Sequence, residues 1–160
     1  MGSGRIIAGG ADLSRTSALV TGAAGGAIAT VAMSAVMVAG DRMGLMGEQP
    51  PTAITRTALR DAGVDRPAEP ANVVAPFAHL AFGAMAGLIY GLLRGVVRRG
   101  TGGLLGMIFG LGVWVVSYNG WIPALGILPP PEDDRPGRPA VMLVAHLVYG
   151  LVLGRLVGRP

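Results

Sequence analysis

Polar and apolar positions separate along this chain in whole segments, not residue by residue. No charged residue occurs from Thr16 to Gly40, from Ala71 to Leu93 or from Gly100 to Pro131, and Pro139 to Gly154 forms a shorter fourth run. About 20 apolar residues cross the hydrocarbon core as a helix, so the first three runs are long enough alone. The fourth borrows Arg155, whose long stem brings its charge to the interface. The pattern predicts an all-α, polytopic membrane protein of one domain, residues 1–160. Its transmembrane helices are expected near 17–40, 72–94, 102–124 and 140–157, with outer loops at 41–71 and 125–139. The first run has 25 uncharged residues, well beyond the roughly 7–15 of a signal-peptide core, and reads as a span.

The loops carry the remaining polarity. "QPPTAITRTALRDAGVDRP" opens on prolines and a threonine suited to a helix start and closes on Ala-Gly and a later proline. Ile54, Ala58, Leu59 and Ala62 would share one face and Arg56 and Arg60 another, the pattern of a short helix lying on the outer leaflet. A lid over a substrate is the alternative. "LGILPPPEDDRPGRP" is too rich in proline for a helix and is expected to be an extended strap.

Four spans put both termini and the 94–101 connection on one side. Seven arginines (5, 15, 94, 98, 99, 155 and 159) lie there with one acid, Asp12; the other side has six arginines and eight acids. "RGVVRRG" is a short basic turn of the kind retained in the cytoplasm, so both termini are expected to be cytoplasmic.

Composition removes several chemistries. With no cysteine in the chain, disulfides, thiolate catalysis and iron–sulfur clusters are excluded. Mean hydropathy is +0.56 and 14% of residues are charged, which leaves little polar surface to cover a soluble bundle. The isoelectric point of 10.6 reflects arginines flanking apolar runs, not a nucleic-acid-binding block. All 13 basic residues are arginine, which together with much Ala, Gly, Val and Pro suggests a GC-rich bacterial genome. No hydrolase triad, phosphate loop, carboxylate pair or dinucleotide fingerprint is present, so no enzyme activity, metal site or catalytic residue is expected.

Two segments repeat. "AHLAFGAMAGLIYG" (78–91) and "AHLVYGLVLGRLVG" (145–158) hold the two histidines, His79 and His146, each followed by glycines four, eight and twelve residues on: Gly83, Gly87, Gly91 and Gly150, Gly154, Gly158. The first span has Gly22, Gly26, Thr30 and Ser34, and the third Gly102, Gly106 and Gly110, again at four-residue spacing. A helix–loop–helix unit repeated in tandem, with a pseudo-twofold axis along the membrane normal, accounts for this. The glycines are expected to let helices approach closely, since small residues supply packing where lipid removes the hydrophobic drive.

Both histidines fall at matched depth, and polar groups there face a partner or a cavity. The simplest reading bonds each to a backbone carbonyl, Thr30, Ser34 or Asn119. The sharper alternative makes them axial ligands of a haem b, with flanking glycines leaving room for the macrocycle; a proton relay is weakened by the lack of an acid in any span. Tyr118 and Asn119 complete a candidate polar network, while Trp114, Tyr118 and Trp121 are otherwise expected to form an interfacial belt, with Asn119 and Gly120 breaking the helix.

"GAAGGAIATVAMSAVMVAGDRMGLMGEQPP", "AHLAFGAMAGLIYG", "NGWIPALGILPP" and "AHLVYGLVLG" resemble the YagU-type small bacterial inner-membrane proteins, over about Val20 to Leu156. The resemblance implies a four-span inner-membrane protein and transfers no reaction. The leading expectation is a non-enzymatic accessory or scaffold subunit, packed against itself or other membrane subunits in the lipid bilayer and needing no cofactor. A bis-histidine electron carrier and a small transporter or channel are the alternatives.

Overall fold

The computed structural model describes residues 4–94 and 102–158, with side chains from Thr16 onward. It is helical throughout, in the order α1 (Gly4–Arg42), α2 (Pro50–Asp61), α3 (Ala68–Arg94), α4 (Gly102–Val116), a π turn (Ser117–Trp121), α5 (Ile122–Ala124) and α6 (Arg138–Val157). Four helical stretches, Thr16–Arg42, Ala68–Arg94, Gly102–Ala124 and Arg138–Val157, are long and apolar enough to cross a membrane. At about 1.5 Å per residue, even the shortest reaches the roughly 30 Å of a hydrocarbon core. Large apolar side chains such as Val31, Val73, Phe77, Leu104 and Ile108 are exposed along these helices. In water that surface would be an aggregation liability; facing acyl chains it is what a span requires. The basic turn around Arg98 and Arg99, and the residues Arg5, Arg15 and Arg159, lie outside the described side chains.

The spans pack as two glycine-bonded pairs. In the first, α1 lies on α3 through Gly22 and Gly26 against Gly83, Gly87 and Gly91. In the second, α4 lies on α6 through Gly102, Gly106 and Gly110 against Gly150, Gly154 and the carbonyl of His146. In each pair the missing side chain of one glycine is filled by the partner's backbone, which brings Cα–H groups against carbonyls. The pairs then join through α1 and α6, where Ala29, Met33, Met37, Met142, Tyr149 and Leu153 form the buried centre.

The spatial order is therefore α3, α1, α6, α4. A strict twofold between the halves would make α3 and α4 pack as α1 and α6 do. Instead they scarcely touch. Their contact is at the end near the termini, where the Tyr90 and Phe109 rings stand 5.1 Å apart and the Tyr90 hydroxyl donates to the Gly102 carbonyl at 3.2 Å. Toward the other end, which carries α2 and the 125–137 connection and is called the loop end below, the bundle is left open on one side.

Two local features shape the loop end. Pro123 has no N–H to give the carbonyl four residues back, and Ile122 instead donates to Ser117, five residues back. The extra residue makes a π turn where a break at Asn119 and Gly120 was expected, and it turns Ser117 and Tyr118 inward, where both are buried. The second is Gly137, whose φ of 94° is a conformation that L side chains rarely adopt; it reverses the chain into α6 with Leu45 packed against it.

Helix α2 forms where the sequence predicts it, with Pro50 and Pro51 in its first turn. The residues it buries against the bundle are not those read as the leaflet face. Pro50, Ala53 and Thr55 are buried while Ala58 is exposed and Ala62 lies exposed just past its end, because the helix packs on α3 through its first half. The 125–137 strap is non-helical as its prolines dictate, but it folds in turns over the loop end and does not run extended.

Candidate functional site

The four spans and α2 line a partly open cavity of about 190 Å³. Its walls are mostly apolar: Met33 and Met37 from α1, Phe82 and Ala86 from α3, Val113 from α4, Met142 from α6. Pro50, Ile54 and Thr55 of α2 close it at the loop end, so the helix does lie where a lid would. Trp121 also faces the cavity, and Tyr118 is fully buried, so two of the three expected belt aromatics are drawn into the bundle by the π turn.

Both histidines line this cavity. His146 is 4% exposed, and its Nδ1 lies 2.8 Å from the carbonyl of Met142, one turn back along α6. A carbonyl can only accept, so Nδ1 carries the proton and donates. In the neutral ring Nε2 is then a bare acceptor, and among the described residues nothing bonds it. His79 is less buried and lies 3.3 Å through Nδ1 from the Ser34 hydroxyl of α1. It also borders a second opening, again of about 190 Å³, between α1, α2 and α3, beside Gln49 and Pro76.

Three hydroxyls in the walls already have protein partners. Tyr149 donates to the Gly83 carbonyl at 2.7 Å, Thr30 to Gly26 at 2.8 Å and Ser117 to Val113 at 2.7 Å. The cavity is thus a mostly apolar chamber in which His146 fixes one hydrogen-bond acceptor without a protein partner.

Two candidate residues are placed elsewhere. Asn119 is exposed, since the π turn that buries Ser117 and Tyr118 points it out of the bundle. Tyr118 is fully buried, but its hydroxyl donates to Asp134 and not to a histidine.

Asp134 belongs to a cluster that the sequence reading did not single out. Its Oδ1 accepts from Arg138 Nη1 at 2.7 Å and from the Arg135 backbone N–H at 2.7 Å. The pair is buried, with side-chain exposures of 1% for Asp134 and 8% for Arg138. Arg138 Nε donates on to the Met46 carbonyl at 2.7 Å, and Arg135 Nη2 to Gly44 at 3.1 Å. These bonds tie the end of α1, the strap and the start of α6 into one closure over the loop end. The available signal was a charge at each end of Asp134–Arg138, one turn apart, at the threshold of an apolar run.

Among the described residues no three His, Asp or Glu side chains converge as a metal site would require. A haem between the histidines would need open space at the flanking glycines. That space is filled: Gly83 by Thr30, Gly87 by Gly22 and Gly26, Gly150 by Gly106, Gly154 by Gly102. The residues present do not fit the macrocycle.

Fold and site together define a multi-pass membrane protein, a helical bundle with an internal apolar chamber. Residues 16–159 match the profile of a family described as "Family of unknown function (DUF6789)", and the chain belongs to that family. The match gives no support to the YagU name that the motifs suggested. No curated protein and no solved structure matches the chain.

Proposed function

We propose that the protein is a non-enzymatic membrane protein that holds a small, largely apolar molecule in the chamber between its spans. The observation that carries this reading is the unpaired Nε2 of His146, held in a fixed orientation in a mostly apolar wall. The nitrogen opens on the cavity with no protein donor opposite it, and a ligand donor would supply one. The volume is right for a small guest, since a dry cavity of about 150 Å³ already takes benzene.

The glycine stripes favour this reading over a scaffold. They were the natural surfaces for self-association, and they are occupied within the chain. A scaffold role would have to use the remaining lipid-facing side chains. The haem reading draws no support from the filled glycine positions, and a transporter reading lacks ionisable groups along the chamber apart from the two histidines. The same proposal places the protein in a bacterial inner membrane with both termini cytoplasmic, supported by the basic 94–99 segment against the acid-rich loop end. It also treats the chain as a tandem duplication, supported by equivalent contacts: Gly22 on Gly87 in one pair and Gly102 on Gly154 in the other.

Thermal unfolding of the purified protein with 4-ethylphenol tests the binding reading. At about tenfold excess over Kd the melting temperature is expected to rise by roughly 3–6 °C. Ala86→Phe, which fills the chamber, is expected to fold and lose the rise. No rise in the native protein, or an equal rise in the variant, would remove the chamber as the site.

A further inference from the structure

We propose that the occupant is the hydroxylated ring of a membrane lipid, a phenol or quinol headgroup whose apolar tail leaves sideways between α3 and α4. This rests on the chamber being a binding site and adds the ligand's class, its orientation and its route.

The ring follows from the size and the walls. About 190 Å³ accommodates one substituted ring and not a folded acyl chain. Three methionines, Met33, Met37 and Met142, and three aromatic side chains, Phe82, Trp121 and Tyr149, line it. Thioethers and ring edges both favour an aromatic guest. The hydroxyl follows from His146. With Nδ1 held as a donor by the Met142 carbonyl, Nε2 can only accept, so the ligand must donate an O–H. A carbonyl or ether oxygen at that point would set two acceptors against each other.

The route follows from the order of the helices. α1 packs on both α3 and α6, and α4 on α6, so those three walls are closed by direct helix contact except for the opening beside His79 at the loop end, which α2 borders. α3 and α4 meet only at the Tyr90 clasp near the termini, and α2 covers the loop end. The widest remaining gap is flanked on α3 by Ala78 and Phe82, which line the chamber and are also exposed on the bundle's outside, among exposed apolar side chains such as Val74, Phe77 and Met85. A tail attached to a ring in the chamber therefore emerges among acyl chains.

Native mass spectrometry or titration of the full chain in detergent, with four probes, tests each part. 4-Nonylphenol is expected to bind at least as tightly as 4-ethylphenol, because the longer tail lies outside the chamber. Binding of 4-ethylphenol with exclusion of 4-nonylphenol would overturn the lateral route and leave the chamber reading standing. Failure of both would overturn the two together. Nonylbenzene, which lacks the hydroxyl, is expected to bind about tenfold more weakly than 4-nonylphenol; equal affinity would overturn the His146 contact. Dodecanol binding as tightly as 4-nonylphenol would overturn the ring. In His146→Leu the preference for the phenol over nonylbenzene is expected to vanish, and in His146→Gln, whose amide oxygen can accept, to return in part. The native-chain comparison decides the matter even where a variant fails to fold.

Discussion

Replacing Gly87 or Gly154 with leucine is expected to abolish the folded bundle. A Cβ built at Gly87 falls on the carbonyl of Gly22 and 2.6 Å from the Cα of Gly26; at Gly154 it falls on the carbonyl of Gly102 and 2.9 Å from the Cα of Gly106. The obstacles are backbone atoms of a neighbouring helix, which cannot turn aside as a side chain can. Overpacking a tight core costs about 1–3 kcal/mol where the neighbours can shift. Here two helices must separate along their whole contact, so the loss is expected to exceed that range. Even alanine at either position should lower the melting temperature. The control is Gly112→Leu on α4, where an added Cβ meets nothing within 4 Å and little change is expected. Circular dichroism melts of the three leucine variants check this, and native-like stability of Gly87→Leu and Gly154→Leu would contradict it.

The second large effect is expected at the loop end. Asp134→Ala leaves Arg138 buried without its carboxylate and removes the acceptor of the Tyr118 hydroxyl. Breaking a buried ion pair by removing one partner costs about 3–5 kcal/mol, because the remaining charge stays desolvated. Tyr118→Phe removes one bond and leaves the ion pair, so about 1 kcal/mol is expected. The double variant Asp134→Leu with Arg138→Met should recover part of the loss, since apolar side chains of similar size often replace a buried pair at little cost. Recovery will be incomplete, because Arg138 also bonds the Met46 carbonyl and so holds the end of α1. Denaturant unfolding of the four proteins in one detergent gives the comparison. Equal stability of Asp134→Ala and the native chain would show that the closure contributes nothing.

Much of this architecture was legible in the sequence because its determinants are local. Uninterrupted apolar runs fix the spans, and four-residue glycine spacing marks the faces by which they pack. The prolines at 50 and 51 announce α2. The two histidines were recognisable as a pair because each precedes the same glycine series, and both do line one chamber.

What was not legible depends on contacts between distant segments. Arg138 bonds Met46 across 92 residues, and nothing in "PEDDRPGR" says which carbonyl will lie above it. Asn119 looked like a partner for the histidines on a regular helix. Pro123 shifts the hydrogen-bond register there, and one added residue in the turn exchanges the inward and outward positions. The amphipathic pattern of α2 marked a face for the outer leaflet and gave no sign that α3 receives the helix by its first half. The departure from twofold symmetry was equally hidden. Each glycine pair satisfies its own spacing, and how two such pairs meet is set by larger side chains such as Met142 and Leu153.

Nitrogen NMR of protein labelled at its histidine rings tests the central claim most directly, that His146 presents an unpaired acceptor to the chamber. The account expects His146 to be neutral with its proton on Nδ1, and its Nε2 resonance to shift on addition of 4-ethylphenol as the phenol donates to it. A proton resident on Nε2, or an Nε2 resonance indifferent to the phenol while the ligand is bound, would contradict it.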